Sequence, residues 1–326
     1  MDAAADGGQK LPQQHFLKGE KRMAKAVAVK HKPKKRYSLL FMVLPFMLIV
    51  LLFNYVPIFG WIYSVFDYIP GVPLVDCDFM GLEYFKMIFT DANVWRTLKN
   101  TVIFAVISIC LTPLPMIFAI LLNEVKNGPV RKFVQTFTTL PNFISWVIIF
   151  SLAFALFSTD GLLTTLMVKV GIMDEPVSLL SSKDSVYWFQ TFLAQWKVLG
   201  WNSIIYLAAI AGIDQEQYEA AKVDGAGHFR CALHVTLPSM METYVVLFIL
   251  NIGNFLNTGY EQYMLFKNAV TAPNIEVLDL YVYRIGLENM DYSYGVAISI
   301  VKSVVSIALV VIANLVAKKV RGNTVI

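Results

Sequence analysis

The segment EAAKVDGAGHFRCALHVTLP, residues 219–238, crowds Glu219, Lys222, Asp224, His228, Arg230 and His234 into one short stretch, with glycines at 225 and 227. Side chains of these types can carry acid–base, metal or phosphate chemistry. Their spacing here fits none of it. Four histidines (His15, His31, His228, His234) form no HExxH-type pair, and the chain has no GxxxxGK[ST] phosphate loop, no GxSxG and no kinase set. Cys77, Cys110 and Cys231 fall in different compartments of the span assignment below, so neither a disulfide framework nor a CxxC metal site is expected. What the segment offers is shape. Good helix formers run from Gln215 to Lys222, Gly225 and Gly227 make a bend, HFRCALHV can form a second short helix, and Pro238 suits the first turn of a third. Two short helices with a rigid bend make a knob that fits a groove on another protein and transmits a push.

The elements that must hold this knob are apolar. The 326 residues are 57% hydrophobic and only 15% charged, with a mean hydropathy of +0.59. A soluble domain of this length needs more surface charge, so the class is integral membrane protein, all-α. A helix crossing about 30 Å of hydrocarbon needs roughly 20 apolar residues. Six stretches reach that length: 38–65, 98–122, 133–157, 187–212, 238–257 and 294–317. The first is too long, and lacks the small-residue cleavage site, to be a signal peptide, and it reads as a retained span. Prolines 45, 57, 113, 115 and 141 lie inside these stretches, as membrane helices tolerate.

Charge fixes the orientation. Residues 1–36 hold ten Lys/Arg, 123–132 three, 213–236 two and the tail after Ala317 three, eighteen on one side. The other three connections (66–95, 158–186, 258–292) hold five, against fourteen Asp/Glu. Both termini and residues 213–238 are therefore expected in the cytoplasm. The net charge of +4 sets topology and gives no support to nucleic-acid binding. The organisation that follows is a basic cytoplasmic tail over 1–36 against the lipid headgroups, a six-helix membrane domain over 37–320, and a short cytoplasmic tail over 321–326. Two outer stretches, MGLEYFKMIF and IEVLDLYVYRIG, read as amphipathic helices lying flat on the outer surface; Ile275, Leu278, Tyr281 or Val282, and Ile285 share one face of the second.

Glu219-Ala220-Ala221, three residues, Gly225, nine residues, then Val235-Thr236-Leu237-Pro238 resembles the EAA motif of ABC importer membrane subunits, EAA-x3-G-x9-I-x-L-P, with Val235 in place of Ile. WRTLKNTVIFAV, IIYLAAIAGIDQEQYEAAKVDGAG, NIGNFLNTGYEQ and VLDLYVYRIGLENMDYSYGVAISIVKSVV are likewise similar to the carbohydrate-uptake permeases of that family, in the LplB/YteP-like, alginate-importer-like branch. The resemblance covers roughly residues 38–320. It implies the type I importer permease fold in the inner membrane of a bacterium. It also implies a heterodimer with a second permease, two ATPase subunits below, an extracytoplasmic solute-binding protein above, and an oligosaccharide cargo. The chain itself would bind no cofactor; ATP and Mg belong to the ATPase. Carried over by position, Glu219 would contact the ATPase, Ala220 and Ala221 would permit close approach, Gly225 would make the bend and Pro238 would restart the span, with Asp224 and Leu237 in the same coupling segment.

Residues that could line the sugar path come from the fourth to sixth spans. Sugars are held by aromatic faces and by amides that donate and accept at once. Trp196, Trp201, Asn202, Asn254, Asn257, Tyr260 and Gln262 supply those groups, with Asn254 and Asn257 one helical turn apart. Asparagines inside a bundle also bond helix to helix, and Trp or Tyr at span ends also anchor the interface. Lys197 and Lys302 are charges inside spans, each costing about 2.5–3.5 kcal/mol at the bilayer centre. Either could meet a sugar carboxylate, serve structure, or, for Lys302, snorkel outward.

Other function classes fit less well. A secondary transporter needs an inverted repeat or coupling acids in the membrane, and the only acid in the spans is Glu242. A membrane enzyme needs clustered His or Asp beside a span. The same importer carrying a monosaccharide or small glycoside remains compatible with the segment.

Overall fold

The computed structural model describes residues 37–172 and 174–321; the expected basic tail over 1–36 and residues 322–326 lie outside the described residues. Among the described residues the chain is helical, and its one β feature is an isolated antiparallel bridge between Phe66 and Phe79. The chain divides into two compact units, one up to Phe59 and one from Gly60.

The first unit holds α1 (Tyr37–Val50) and a π-helical turn, Leu51–Tyr55, and the helical run continues through Val65. A second π-helical turn, Ala232–Thr236, has the same relation to a proline: Pro57 and Pro238 each follow two residues after the turn. A widened turn lets the helix pass a residue that has no N–H and whose ring crowds the carbonyl four back. Pro238 therefore does not restart the span. The helix runs from His228 to Gly253 without a break.

The second unit opens with α2 (Glu83–Thr90), α3 (Ala92–Cys110) and α4 (Leu114–Asn123). Asp91 caps α3 by accepting from the Asn93 amide at 2.8 Å. Then follow α5 (Gly128–Thr139), α6 (Trp146–Phe157), α7 (Leu162–Lys169) and α8 (Val186–Ala211). The remainder is α9 (Gln215–Val223), α10 (His228–Cys231), α11 (Leu237–Gly253), α12 (Glu261–Phe266), α13 (Ala272–Ile275), α14 (Leu278–Tyr283) and α15 (Tyr292–Arg321).

Among the described residues five helical runs are long and apolar enough to cross a membrane: Leu40–Val65, Ala92–Asn123, Trp146–Lys169, His228–Gly253 and Tyr292–Lys319. The pair α8–α9, bent by 72°, makes a sixth. The α8 helix has 26 residues and so a length of about 39 Å, enough to span by itself. The third span differs from its expected extent of 133–157. Helix is lost at Ile144 and Ser145, and the spanning run begins at Trp146.

Three apolar clusters hold the unit. Met116, Ala119, Tyr206, Leu207, Ile210 and Met240 join α4, α8 and α11. Phe104, Tyr263, Phe266, Ile275 and Val277 form the second, and Tyr84, Ile88, Val94, Tyr281, Tyr294 and Ile298 the third. The stretch expected to lie flat on the surface is instead inserted: Ile275 and Val277 are 0% exposed. Its backbone is met by polar side chains of α3, as buried non-helical backbone requires. Asn100 donates to the carbonyls of Pro273 (2.9 Å) and Glu276 (3.0 Å) and accepts from the Tyr187 hydroxyl (2.7 Å). Thr101 accepts from the Leu278 amide at 2.8 Å.

Candidate functional site

A cavity of about 510 Å³ lies among α3, α8, α11 and the chain that follows α11. That volume is within the usual range for small-molecule sites. Its wall is rich in amides: Gln195, Asn202, Asn251, Asn254, Asn257 and Gln262. Ser108 and Thr112 add hydroxyls, and Trp146, Tyr206 and Tyr263 add rings. Among the described residues that line it there is no Asp, Glu, Arg or His, and Lys197 is the one charge. The amides differ in commitment. Gln262 donates to the carbonyl and the side chain of Gln190, both at 2.8 Å. Asn251 and Asn254 each donate back one turn, to Leu247 (2.9 Å) and Leu250 (3.2 Å). The side chains of Gln195, Asn202 and Asn257 bond to no other described residue. Asn254 and Asn257 do not share a helical face, because α11 ends at Gly253 and Asn257 lies in the following turn.

The remaining sequence candidates stand outside this wall. Trp201 packs edge-on against Phe143 at 5.6 Å, and Tyr260 stacks on Tyr283 at 4.6 Å. Trp196 is partly exposed on α8. Lys302 pairs with Asp279. The sequence reading missed Gln195, Asn251, Trp146 and Tyr206. Asn251 was within reach, since it sits one turn before Asn254 in an apolar helix.

Lys197 explains the break in the third span. Its ammonium donates to the carbonyls of Pro141 (3.2 Å), Asn142 (3.0 Å) and Ile144, and lies 5.5 Å from the centre of the Trp146 ring. A helix interrupted within a membrane must satisfy its freed carbonyls from elsewhere, and one ammonium brings three donors. Three residues further along α8, a Cβ on Gly200 would stand 2.2 Å from the Thr138 carbonyl oxygen. The α8 helix therefore grips the end of α5 through a glycine contact and a lysine cap, and this places Trp146 on the cavity wall.

At the opposite end from α9, two carboxylates of the inserted stretch gather cations from α3, from α15 and from the adjoining chain. Glu276, 3% exposed, faces Arg96 (2.9 Å), Lys267 (3.1 Å) and Arg284 (2.9 Å). Asp279 pairs with Lys302 and accepts from the Gly259 amide at 2.9 Å. Nearby, Asp91 accepts from the hydroxyls of Tyr281 and Tyr294. Burial alone would raise the Asp91 carboxyl, but those hydrogen bonds and the Asn93 amide outweigh it and hold it below the usual carboxylate range. Burial and the bond to Asp91 push the Tyr281 hydroxyl far up.

The polar segment forms the expected first short helix and the bend, but the second expected short helix, HFRCALHV, is the start of the helical run His228–Gly253. Asp214 caps α9 by accepting from the Glu216 amide at 3.0 Å. The bend lies at Gly225, where φ is +77°, with the Ala226 amide returning to the Ala221 carbonyl at 2.9 Å. Tyr218 bonds Thr236 at 2.9 Å across the bend, and His228 meets Glu124 at 3.1 Å. Glu219, Ala220 and Asp224 are exposed, Ala221 and Leu237 half-buried. Val223 (87%) and Phe229 (76%) are exposed apolar residues flanking the bend, and the sequence reading passed over them. Their signal was apolarity inside a charged stretch. Among the described residues no group of three or more potential metal ligands gathers.

Helical runs long and apolar enough to cross a membrane, together with an amide-lined cavity, suit a membrane transport subunit. Residues 111–322 match the family described as binding-protein-dependent transport system inner membrane component. Protein LplB of Bacillus subtilis (strain 168) is 40% identical over 291 residues, 88% of this chain and 90% of the relative. The polygalacturonan/rhamnogalacturonan transport system permease protein YteP of the same organism is 41% identical over 283 residues, 85% and 87% of the two chains. The crystal structure of a bacterial ABC transporter involved in the import of the acidic polysaccharide alginate superimposes with a TM-score of 0.79 at 30% identity, covering 92% of this chain and 99% of that one. A second structure of the alginate transporter, in complex with alginate pentasaccharide-bound periplasmic protein, gives a TM-score of 0.79 at 31% identity, over 89% and 97% of the two chains. The chain belongs to the family of binding-protein-dependent transport system inner membrane components. It is a permease of the ABC importer class and not an enzyme.

Proposed function

We propose that this chain forms half of the translocation path of an ATP-driven oligosaccharide importer. The amide-lined cavity is the saccharide path, and α9–α10 is the element that docks in the cleft of an ATPase subunit. The observation that carries the reading is the cavity wall: free amides of Gln195, Asn202 and Asn257 beside the Trp146 and Tyr263 rings, with no carboxylate. Amides meet hydroxyls as donor and acceptor, rings cover the apolar faces of pyranoses, and the lack of lining acids suits neutral and acidic sugars alike. The names of the relatives point the same way: YteP is a permease for polygalacturonan and rhamnogalacturonan, and the alginate transporter takes an acidic polysaccharide.

In this reading both termini and the knob are cytoplasmic. A second permease completes the path, two ATPase subunits sit below, and a solute-binding protein docks on the opposite face. ATP-driven closure of the ATPases draws the knobs together and rocks the permeases, which opens the path toward the binding protein; hydrolysis resets it. Glu219, Ala220 and the exposed Val223 and Phe229 are the docking contacts, while Gly225 sets the angle between α9 and the long helical run that begins at His228. ATP and Mg are held by the ATPase.

The experiment is to tag this chain at its C-terminus, solubilise native membranes gently and identify what co-purifies. A second permease with an ATPase in near-equal amounts is expected, and Glu219→Lys should release the ATPase while the chain stays in the membrane. Purification of the chain alone after mild crosslinking, or an unchanged complex with Glu219→Lys, would overturn the docking assignment.

A further inference from the structure

Lys302 and Asp279 lie far from each other in sequence and outside the cavity wall, yet they bear on it through one short turn. The α11 helix ends at Gly253, and residues 254–259 turn before Tyr260. This turn carries Asn254, Asn257 and Thr258 to the cavity and ends at Gly259, whose φ of +76° only glycine adopts freely. The Gly259 amide donates to one carboxylate oxygen of Asp279 at 2.9 Å, and the other oxygen takes the ammonium of Lys302. The pair is mostly buried, with side chains 16% and 14% exposed. Tyr260 stacks on Tyr283 next to it, with ring planes only 14° apart. The Asn257 side chain bonds to no other described residue, and its amide returns to the Asn254 carbonyl at 2.8 Å within the turn, so its place depends on the turn.

We infer that Asp279, held in place by Lys302, is a positioning residue for the transport path: it fixes the turn that presents Asn257 and Thr258 to the cavity. Lys302 thereby acts on the cargo through the protein and not by touching it. The inference rests on reading the cavity as the saccharide path.

Two double variants separate positioning from plain charge neutralisation. Asp279→Asn with Lys302→Met removes both charges but keeps an acceptor for the Gly259 amide. Asp279→Ala with Lys302→Met removes the acceptor too. The first measurement is the maleimide labelling rate of Asn257→Cys, in a full-length chain whose Cys77, Cys110 and Cys231 are replaced by serine. The Ala/Met double should label at least about threefold faster than the parent, and the Asn/Met double should match it. Equal rates in all three, or equal shifts in both doubles, would overturn the inference.

The second measurement is uptake of a pool of pectin- and alginate-derived oligosaccharides by the reconstituted complex, read by mass spectrometry. The Ala/Met double should raise the half-saturating concentration about tenfold with the maximal rate held within about twofold, as a displaced contact does. A labelling shift without that rise overturns the link to transport. If the parent takes up no member of the pool while the labelling pattern holds, the saccharide reading fails and the positioning of the turn stands.

Discussion

Lys197→Met removes the three donors that cap the broken third span while keeping most of the side chain's bulk. Pro141 keeps a second donor, the Ile144 amide at 3.1 Å; among the described residues no other donor is seen for the Asn142 and Ile144 carbonyls. Two carbonyls are thus orphaned outright, at about 1–3 kcal/mol each. Hydrogen bonds inside membrane proteins average only about 0.6 kcal/mol, which sets the lower bound for three. The expected loss is about 2–6 kcal/mol. Chemical unfolding of the purified complex in mild detergent, followed by tryptophan fluorescence, measures it, because Trp146 sits beside the ammonium. Lys197→Arg should recover part of the loss, since its donors are fixed in a plane. The opposite reading, a lysine that binds a sugar carboxylate, predicts unchanged stability and weakened uptake. A loss under about 0.5 kcal/mol, together with weaker uptake, would refute the cap.

Glu276→Gln leaves Arg96, Lys267 and Arg284 facing one another without a counter-charge, so unfolding should become easier by about 3–5 kcal/mol, and Arg96→Gln by less because two cations remain. Gly200→Ala puts a methyl 2.2 Å from the Thr138 carbonyl oxygen and should lower the thermal midpoint, whereas Gly212→Ala, whose Cβ finds its nearest atom at 3.5 Å, should be near neutral. Asp91 carries a pH signature. Its folded carboxyl lies below its unfolded value, so the stabilisation is fully present above the ordinary carboxylate range and is lost as pH falls through the folded value. The stability difference between the parent chain and Asp91→Asn should therefore be constant from about pH 5 to 8 and shrink in stronger acid. A difference that changes between pH 6 and 8 would contradict this.

Much of the molecule was legible because its causes are local. Span length and apolarity need only composition within a window, and five of the six runs lie where the apolar stretches do. The knob was legible for the same reason: helix formers, a glycine bend and a charged island are neighbours in sequence, and Gly225 takes the left-handed conformation the bend requires. The third span shows the limit. Its apolar run is continuous in sequence, but whether a helix breaks at Pro141 depends on a donor that arrives from Lys197.

Composition and local order determined that this is an all-helical membrane protein with a charged, glycine-bent segment between two of its apolar runs. Tertiary structure alone decided which polar groups face the cavity, because helix faces are chosen by packing partners across the bundle. It turned Lys197 and Lys302 from free charges into a backbone cap and an ion pair. It also drew the stretch around Ile275 from the expected surface into the core, where Asn100 and Thr101 satisfy its backbone. A buried charge or carbonyl is settled by the partner it meets, and for Lys197, Lys302 and Asn100 those partners lie tens to hundreds of residues away in the chain.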